Sequence, residues 1–219
     1  LVITILKWNL LIKLYSMRTY TLISLLILLL IPIILEANDD DKLMPYQMIT
    51  VSIDSMTQRL GDETNKKRLG KNKAELYQII DETLSPYFQK KYAGRLVLNN
   101  YWKDSSESQR ERFTEGLYQS LIRSYALTML NFDVSKIKVI SGNISLEELK
   151  KLTVKSEVDY KGEVIPMNFS FAKFKQGWMF YDVRIEGVSY IKNYRNQFNA
   201  EISANGLESV ILRLESLKD

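Results

Sequence analysis

Hydrophobic and polar positions change period twice along this chain. From Pro45 to Leu60 apolar residues fall at helical spacing, with Met48, Val51, Met56 and Leu60 toward one side. The segment "AELYQIIDETLSPYF" repeats that pattern through Leu76, Ile79, Ile80 and Leu84 until Pro86 stops it, and "FQKKYAGRLVLNNYW" adds a third short helical stretch. The clearest helix spans Glu107 to Leu130. Ser106 and Gln109 form a capping-box pattern at its start, and Phe113, Leu117, Leu121, Tyr125 and Met129 recur every four residues with Ile122 beside them. One face of that helix is expected to be buried.

Beyond Asn131 the period becomes two. "KIKVISG", "LTVKSEVDY", "VIPMNFSFAKF" and "GWMFYDVRIE" are separated by Gly-containing turns, which predicts an antiparallel meander of about four strands. Within these strands Leu152, Val154, Val158 and Tyr160 share one phase, as do Ile165, Met167, Phe169 and Phe171, and then Met179, Tyr181, Val183 and Ile185. After Gly187 the helical period returns, with Val188, Ile191, Tyr194, Phe198 and Ile202 on the apolar side. "NG" at 205–206 ends that helix, and Leu207, Val210, Ile211, Leu214 and Leu217 mark a closing one. The predicted class is α+β: an antiparallel sheet of about four strands covered by N- and C-terminal helices.

The N-terminus breaks with this patterning. Met17 and Arg18 precede an apolar run from Leu22 to Leu35, followed by Ala37, the layout of a secretory signal peptide cut after Ala37. The run is shorter than the roughly 20 apolar residues of a bilayer span; the alternative is an uncleaved anchor. Residues 1–16 read as an over-extended start, so the expected division is a signal peptide over 1–37 and one domain over 38–219. Cleavage would remove Lys7, Lys13, Arg18 and Glu36 and leave 27 basic and 25 acidic residues, a nearly balanced domain. That balance argues against nucleic acid as a partner. The charge run "NKKRLGKNK" at 65–73 reads as a solvated linker between helices, since Gly70 and Asn72 interrupt it.

Candidate chemistry is sparse. The chain has no histidine and no cysteine, which removes the commonest general base, thiolate nucleophiles and zinc clusters. Its nine glycines form no phosphate-binding loop. Asp182 and Glu186 could share a strand face as an acid/base pair, but Arg184 between them favours a surface ion-pair ladder. What stands out is the quantity of aromatic and aliphatic side chain on a small sheet and the helices expected to cover it. Such layers can be filled solid or can enclose a ligand, and periodicity does not choose between them.

Two blocks are more specific. "YWKDSSESQRERFTEGLYQSLIRSY" (101–125) and "GWMFYDVRIEGVSYIKNYRNQFNAEISANGLESVILRLE" (177–215) closely resemble the MlaC toluene-tolerance family, a likeness that runs from about Pro45 to Leu217. The chain departs from the family pattern after Pro86, where "YFQKKY" lacks an aspartate, and at Asn99, where a glycine is usual. The resemblance implies a periplasmic phospholipid carrier with an apolar cavity between sheet and helices, and no catalytic activity. Its implied partners are an MlaA-like outer-membrane lipoprotein complex and an MlaD-like MCE-domain protein of an inner-membrane ABC transporter. The cargo would be phospholipid, with no cofactor, and the protein a monomer. The expected acyl-chain lining is Val158, Tyr160, Phe169, Phe171, Tyr181, Val183, Val188, Ile191, Tyr194 and Phe198. Trp178 and Asp182 match the family motif but lie on the opposite strand phase and read as structural. Arg195 matches it too, with either a head-group phosphate or a helix carbonyl as its partner. The competing readings are a cavity enzyme acting on an apolar substrate and a ligand-free envelope adaptor.

Overall fold

The structure is a computed structural model that describes residues 43–140 and 148–216; the expected signal segment and Leu217 lie outside them. Helix α1 (Pro45–Leu60) begins on a proline, whose missing N–H costs nothing in a first turn, and ends at Gly61 with φ of 67°. It buries Met48, Ile49, Ser52, Met56 and Leu60 and leaves Val51, expected inward, exposed. The stretch expected as a linker is instead mostly helix α2 (Glu63–Lys71). Asp62 accepts the Asn65 N–H at its start, Leu69 is fully buried, and Arg68 reaches Glu75 of the next helix. One buried leucine between two capped ends is enough to order a run that composition alone makes look solvated.

Helix α3 (Lys73–Leu84) is capped by Asn72 and leads through Pro86 to α4 (Lys90–Leu98) and the single turn α5 (Tyr101–Asp104). Asn99 ends α4 with φ of 53° and ψ of −110°, a positive-φ conformation that glycine adopts freely and a side chain strains, which accords with the glycine expected there. Helix α6 (Glu107–Asn131) starts in the expected capping box. Its packing switches face along its length: Phe113 and Leu117 are buried in the first half, and Tyr118, Ile122, Ala126 and Leu130 follow in the second.

A 3-10 turn (Val134–Lys136) introduces the sheet, which runs β1 (Ile137–Ile140), β2 (Lys151–Tyr160), β3 (Glu163–Phe174), β4 (Gly177–Ile185) and β5 (Val188–Ser189) in simple antiparallel order. The meander therefore has a short fifth strand beyond the expected four. Glu186 and Gly187, both at positive φ, make the tight turn into it. Helices α7 (Tyr190–Asn205) and α8 (Leu207–Ser216) complete the chain, joined at Gly206 with φ of 80°.

The fourth strand corrects the expected phase. Phe169 lies opposite Val183 and Phe171 opposite Phe180, so Tyr181 is an extra, bulged residue on β4. A bulge resets side-chain alternation. Val183 and Ile185 thus share a face with Phe180 and Trp178, while Met179 and Tyr181 belong to the other face. Trp178 packs against Met48 and Ile49 of α1 on the inward side.

Three hydrophobic clusters result. One joins α4, α6, α7 and α8 through residues such as Val97, Phe113, Phe198 and Ile211; a second joins α1, α2, α3 and α6 through Leu60, Leu69, Ile80 and Ile122; the third seats α1 on the sheet. The C-terminal helices pack mainly on other helices, and the start of α7 also packs on β4 and β5. Phe88 touches all three clusters.

Candidate functional site

The site begins where the chain between α3 and α4 meets the edge of β4. Phe180 donates its N–H to Tyr87 O (2.9 Å) and its carbonyl accepts from Gln89 N (2.8 Å), so Phe88 is locked into a bridge beside the sheet. Its ring lies 5.0 Å from Phe180 and stacks at 5.5 Å on Tyr118 of α6, and Phe180 in turn neighbours Phe169 and Phe171. Phe88 thereby closes one end of the angle between the sheet and α6. One turn further along α6, Leu121 and Tyr125 are only half-buried, as are Phe169 and Val183 on the sheet and Tyr190 and Tyr194 on α7. The Tyr125 ring meets Tyr190 edge-on at 5.0 Å, and its hydroxyl is 3.4 Å from that of Tyr194. Extensive packing of α6 is on α2, α3, α4 and α8, and on no strand. Half-covered apolar side chains on the sheet, on α6 and on α7, with Phe88 bridging the sheet to α6, make this the candidate site.

Its electrostatics are neutral. Burial pushes the Tyr125 phenol far above its ordinary range, helped by the hydrogen bond from Tyr194. Burial also raises the Tyr118 phenol, with Asp81 adding to the effect. Beside Tyr118, the Lys90 ammonium sits 3.8 Å over the ring centre and within 3.5 Å of Glu115 and 3.9 Å of Asp81, a charge balanced locally. Neutral hydroxyls on an apolar wall can orient an ester or a glycerol oxygen; they supply no nucleophile.

The residues expected to line one pocket are found in several places. Phe169 and Val183 are half-buried on the sheet face that carries Phe180, and Phe171 and Val158 are fully covered. Ile191 and Phe198 are buried among the helices, Phe198 edge-on to Phe113 at 5.4 Å and stacked on Tyr194 at 5.9 Å. The aromatic side of α7 is therefore largely helix–helix core, and Tyr194 is its half-buried member, reaching Tyr125. Tyr160 and Val188 are 44% and 60% exposed, and Tyr181, turned by the bulge, lies against Tyr92 on the other face. The sequence pattern puts Leu121 and Tyr125 on the face of the helix expected to be buried and does not single out Phe88 or Tyr190. The signal was present in α6: its second stripe, Tyr118, Ile122, Ala126 and Leu130, makes the apolar surface too wide for one packing partner.

Asp182 is a correction. It is 4% exposed, accepting the Ile191 N–H at 3.0 Å and the Ser189 hydroxyl at 2.7 Å, with Arg184 Nε 3.6 Å away. It organises the first turn of α7 in place of a surface ladder with Glu186, because the tight turn at 186–187 folds the helix start back onto its own strand. Arg195 is settled as well: its Nε donates to Leu96 O at 2.6 Å, and Asn199 donates to Val97 O at 2.8 Å, so α7 caps the last carbonyls of α4.

Comparison with known proteins places this geometry. The MlaC protein family model matches residues 52–216. The intermembrane phospholipid transport system binding protein MlaC of Haemophilus influenzae is 23% identical over 176 residues, 78% of this chain and 80% of its own length. The toluene tolerance protein ttg2D of Pseudomonas putida is 24% identical over 153 residues, 68% of this chain and 70% of its own. Among solved structures, a phospholipid-binding protein from Ralstonia solanacearum in complex with a phospholipid superposes with a TM-score of 0.67 at 21% identity, covering 77% of this chain and 93% of that one. A family match over most of the described residues, on this order of helices and meander, means that the chain belongs to the MlaC family.

Proposed function

We propose that this protein binds a phospholipid with its acyl chains in the angle between the sheet and helices α6 and α7, and ferries it across the periplasm. The observation that carries the reading is the set of half-buried apolar side chains around the Phe88 bridge, Phe169 and Val183 on the sheet and Leu121, Tyr125 and Tyr194 on the helices. The phospholipid in the Ralstonia relative and the transport role in the name of the Haemophilus relative support it. Each methylene taken out of water is worth roughly 0.8 kcal/mol, so a two-chain lipid does not cross an aqueous gap unaided at a useful rate. An apolar cleft removes that barrier. The same magnitude means release needs a partner, and an MlaA-like outer-membrane lipoprotein complex and an MlaD-like MCE-domain protein of an ABC transporter fit the two ends of the route. The function needs no catalysis and no cofactor, and a periplasmic location with an N-terminal signal peptide completes the proposal.

Native mass spectrometry of the protein recovered from a periplasm tests it. A mass increment of one phospholipid, lost on denaturation and identified by extraction, is the expected result. Val183→Asp, which puts a charge on the wall, should fold and lose that increment. A ligand-free mass together with failure to accept lipid from vesicles would overturn the reading in favour of a ligand-free adaptor.

A further inference from the structure

Five exposed lysines gather at one end of the sheet. Lys150 and Lys151 sit at the start of β2, Lys173 near the end of β3, Lys175 in the turn to β4, and Lys91 in the first turn of α4. The Lys173 N–H donates to the Lys150 carbonyl at 3.0 Å and Lys151 lies opposite Ala172, so strand pairing sets Lys150 and Lys173 beside each other on one face of this end and turns Lys151 to the other. Tyr92 brings α4 to the same place: its ring meets Phe174 at 5.4 Å and Tyr181 at 5.0 Å, both edge-on, and the Lys151 ammonium lies 5.9 Å from its centre. The β4 bulge is what turns Tyr181 to this side, away from Phe169 and Val183. None of the five lysines is in an ion pair among the described residues, and the described carboxylate nearest in sequence is the exposed Glu148. In a chain whose whole net charge is +4, this is a strong local concentration.

The kind of cation indicates the kind of partner. Where this chain holds an ordered carboxylate with a close pair it uses mostly arginine, as in Arg59 with Glu82, Arg112 with Glu208 and Glu215, and Arg213 with Glu201. The patch has lysine only, a point charge suited to a diffuse negative field, and three half-buried aromatic rings, two carrying the hydroxyl that places tyrosine at head-group level in a lipid interface. We propose that this lysine and tyrosine end of the sheet attaches the protein to an anionic lipid surface. The rings and Lys151 lie on the sheet face away from Phe169 and Val183, while Lys173 and Lys150 lie at the end of the other face; the patch uses none of the residues proposed to hold cargo, so the inference stands whether or not the cleft is filled.

The test is flotation of the full chain with vesicles of phosphatidylcholine containing 30% phosphatidylglycerol, and with phosphatidylcholine alone. Only the difference between the two counts, which removes any contribution of the apolar N-terminal run. Binding should favour the anionic vesicles and weaken as salt rises. A lysine near such a surface strengthens attachment about fivefold, so Lys173→Gln with Lys175→Gln should lose about 25-fold, and the Lys→Arg pair should keep it. Tyr92→Ala should weaken binding with all lysines in place. Equal binding to both vesicles, or an unchanged Gln variant, overturns the proposal. A Gln variant that loses delivery to partner proteins while an unselective vesicle binding persists overturns it in favour of an acidic protein surface. Bound-lipid mass read on the same samples separates this outcome from the fate of the cleft.

Discussion

Asp182 shows how one side chain can be read correctly as structural and still be misplaced. Its alternation put it on a solvated strand face, yet it is buried with two partners from the turn and helix that follow. Asp182→Ala should therefore cost about 1.5–3 kcal/mol in urea unfolding, the range for a hydrogen bond to a charged group, and Asp182→Asn less, since the amide oxygen still accepts one donor. Phe198 carries the opposite lesson. It lies on the aromatic side of α7 that suggested a lining, but at 2% exposure it packs on Phe113 within the helical cluster. Phe198→Ala should cost about 3–5 kcal/mol by thermal or chemical unfolding. A milder Phe198→Leu should keep its bound lipid, where Val183→Asp loses it; loss of lipid from the folded leucine variant would move Phe198 back into the lining.

Among the elements, α6 decides the most. Its length and cap were legible from Ser106, Gln109 and the four-residue stripe, because local hydrogen bonding and side-chain spacing specify them. Which stripe meets which neighbour was not, since that depends on α8 lying across Gly116. A β-carbon at Gly116 would come 2.8 Å from Leu214 Cβ, atoms that cannot move without shifting a helix. Gly116→Ala should thus destabilise by about 1–3 kcal/mol despite alanine's better helix propensity, read as a lower midpoint in denaturant. An unchanged or raised midpoint would show that α8 can slide aside. Strand β4 was equally half legible. Its extent follows from alternation between Gly177 and Gly187, but the bulge at Tyr181 is a property of its pairing with β3 and leaves no mark in a single strand.

At the scale of the molecule, Phe88 joins the helical clusters to the sheet and closes the proposed cleft. Phe88→Ala should cost about 3 kcal/mol and speed the exchange of bound lipid with vesicles, measured by transfer of a labelled phospholipid; a stability loss with no change in exchange would assign Phe88 to packing alone. The order of helices, meander and helices, the extent of α1, the cap of α6, the break between α7 and α8 at 205–206, and the family blocks at 101–125 and 177–215 were determined by the sequence itself. They rest on hydrogen bonds, caps and periodicities that span a few residues. Only the tertiary structure decided that the aromatic side of α7 serves the helices, that Tyr181 leaves the inward face, that a lysine-rich linker is a helix held by Leu69, and that Phe88 bridges the sheet to α6. Each of these depends on contacts between residues far apart in the chain, and a periodicity can say that a face is apolar without saying what covers it.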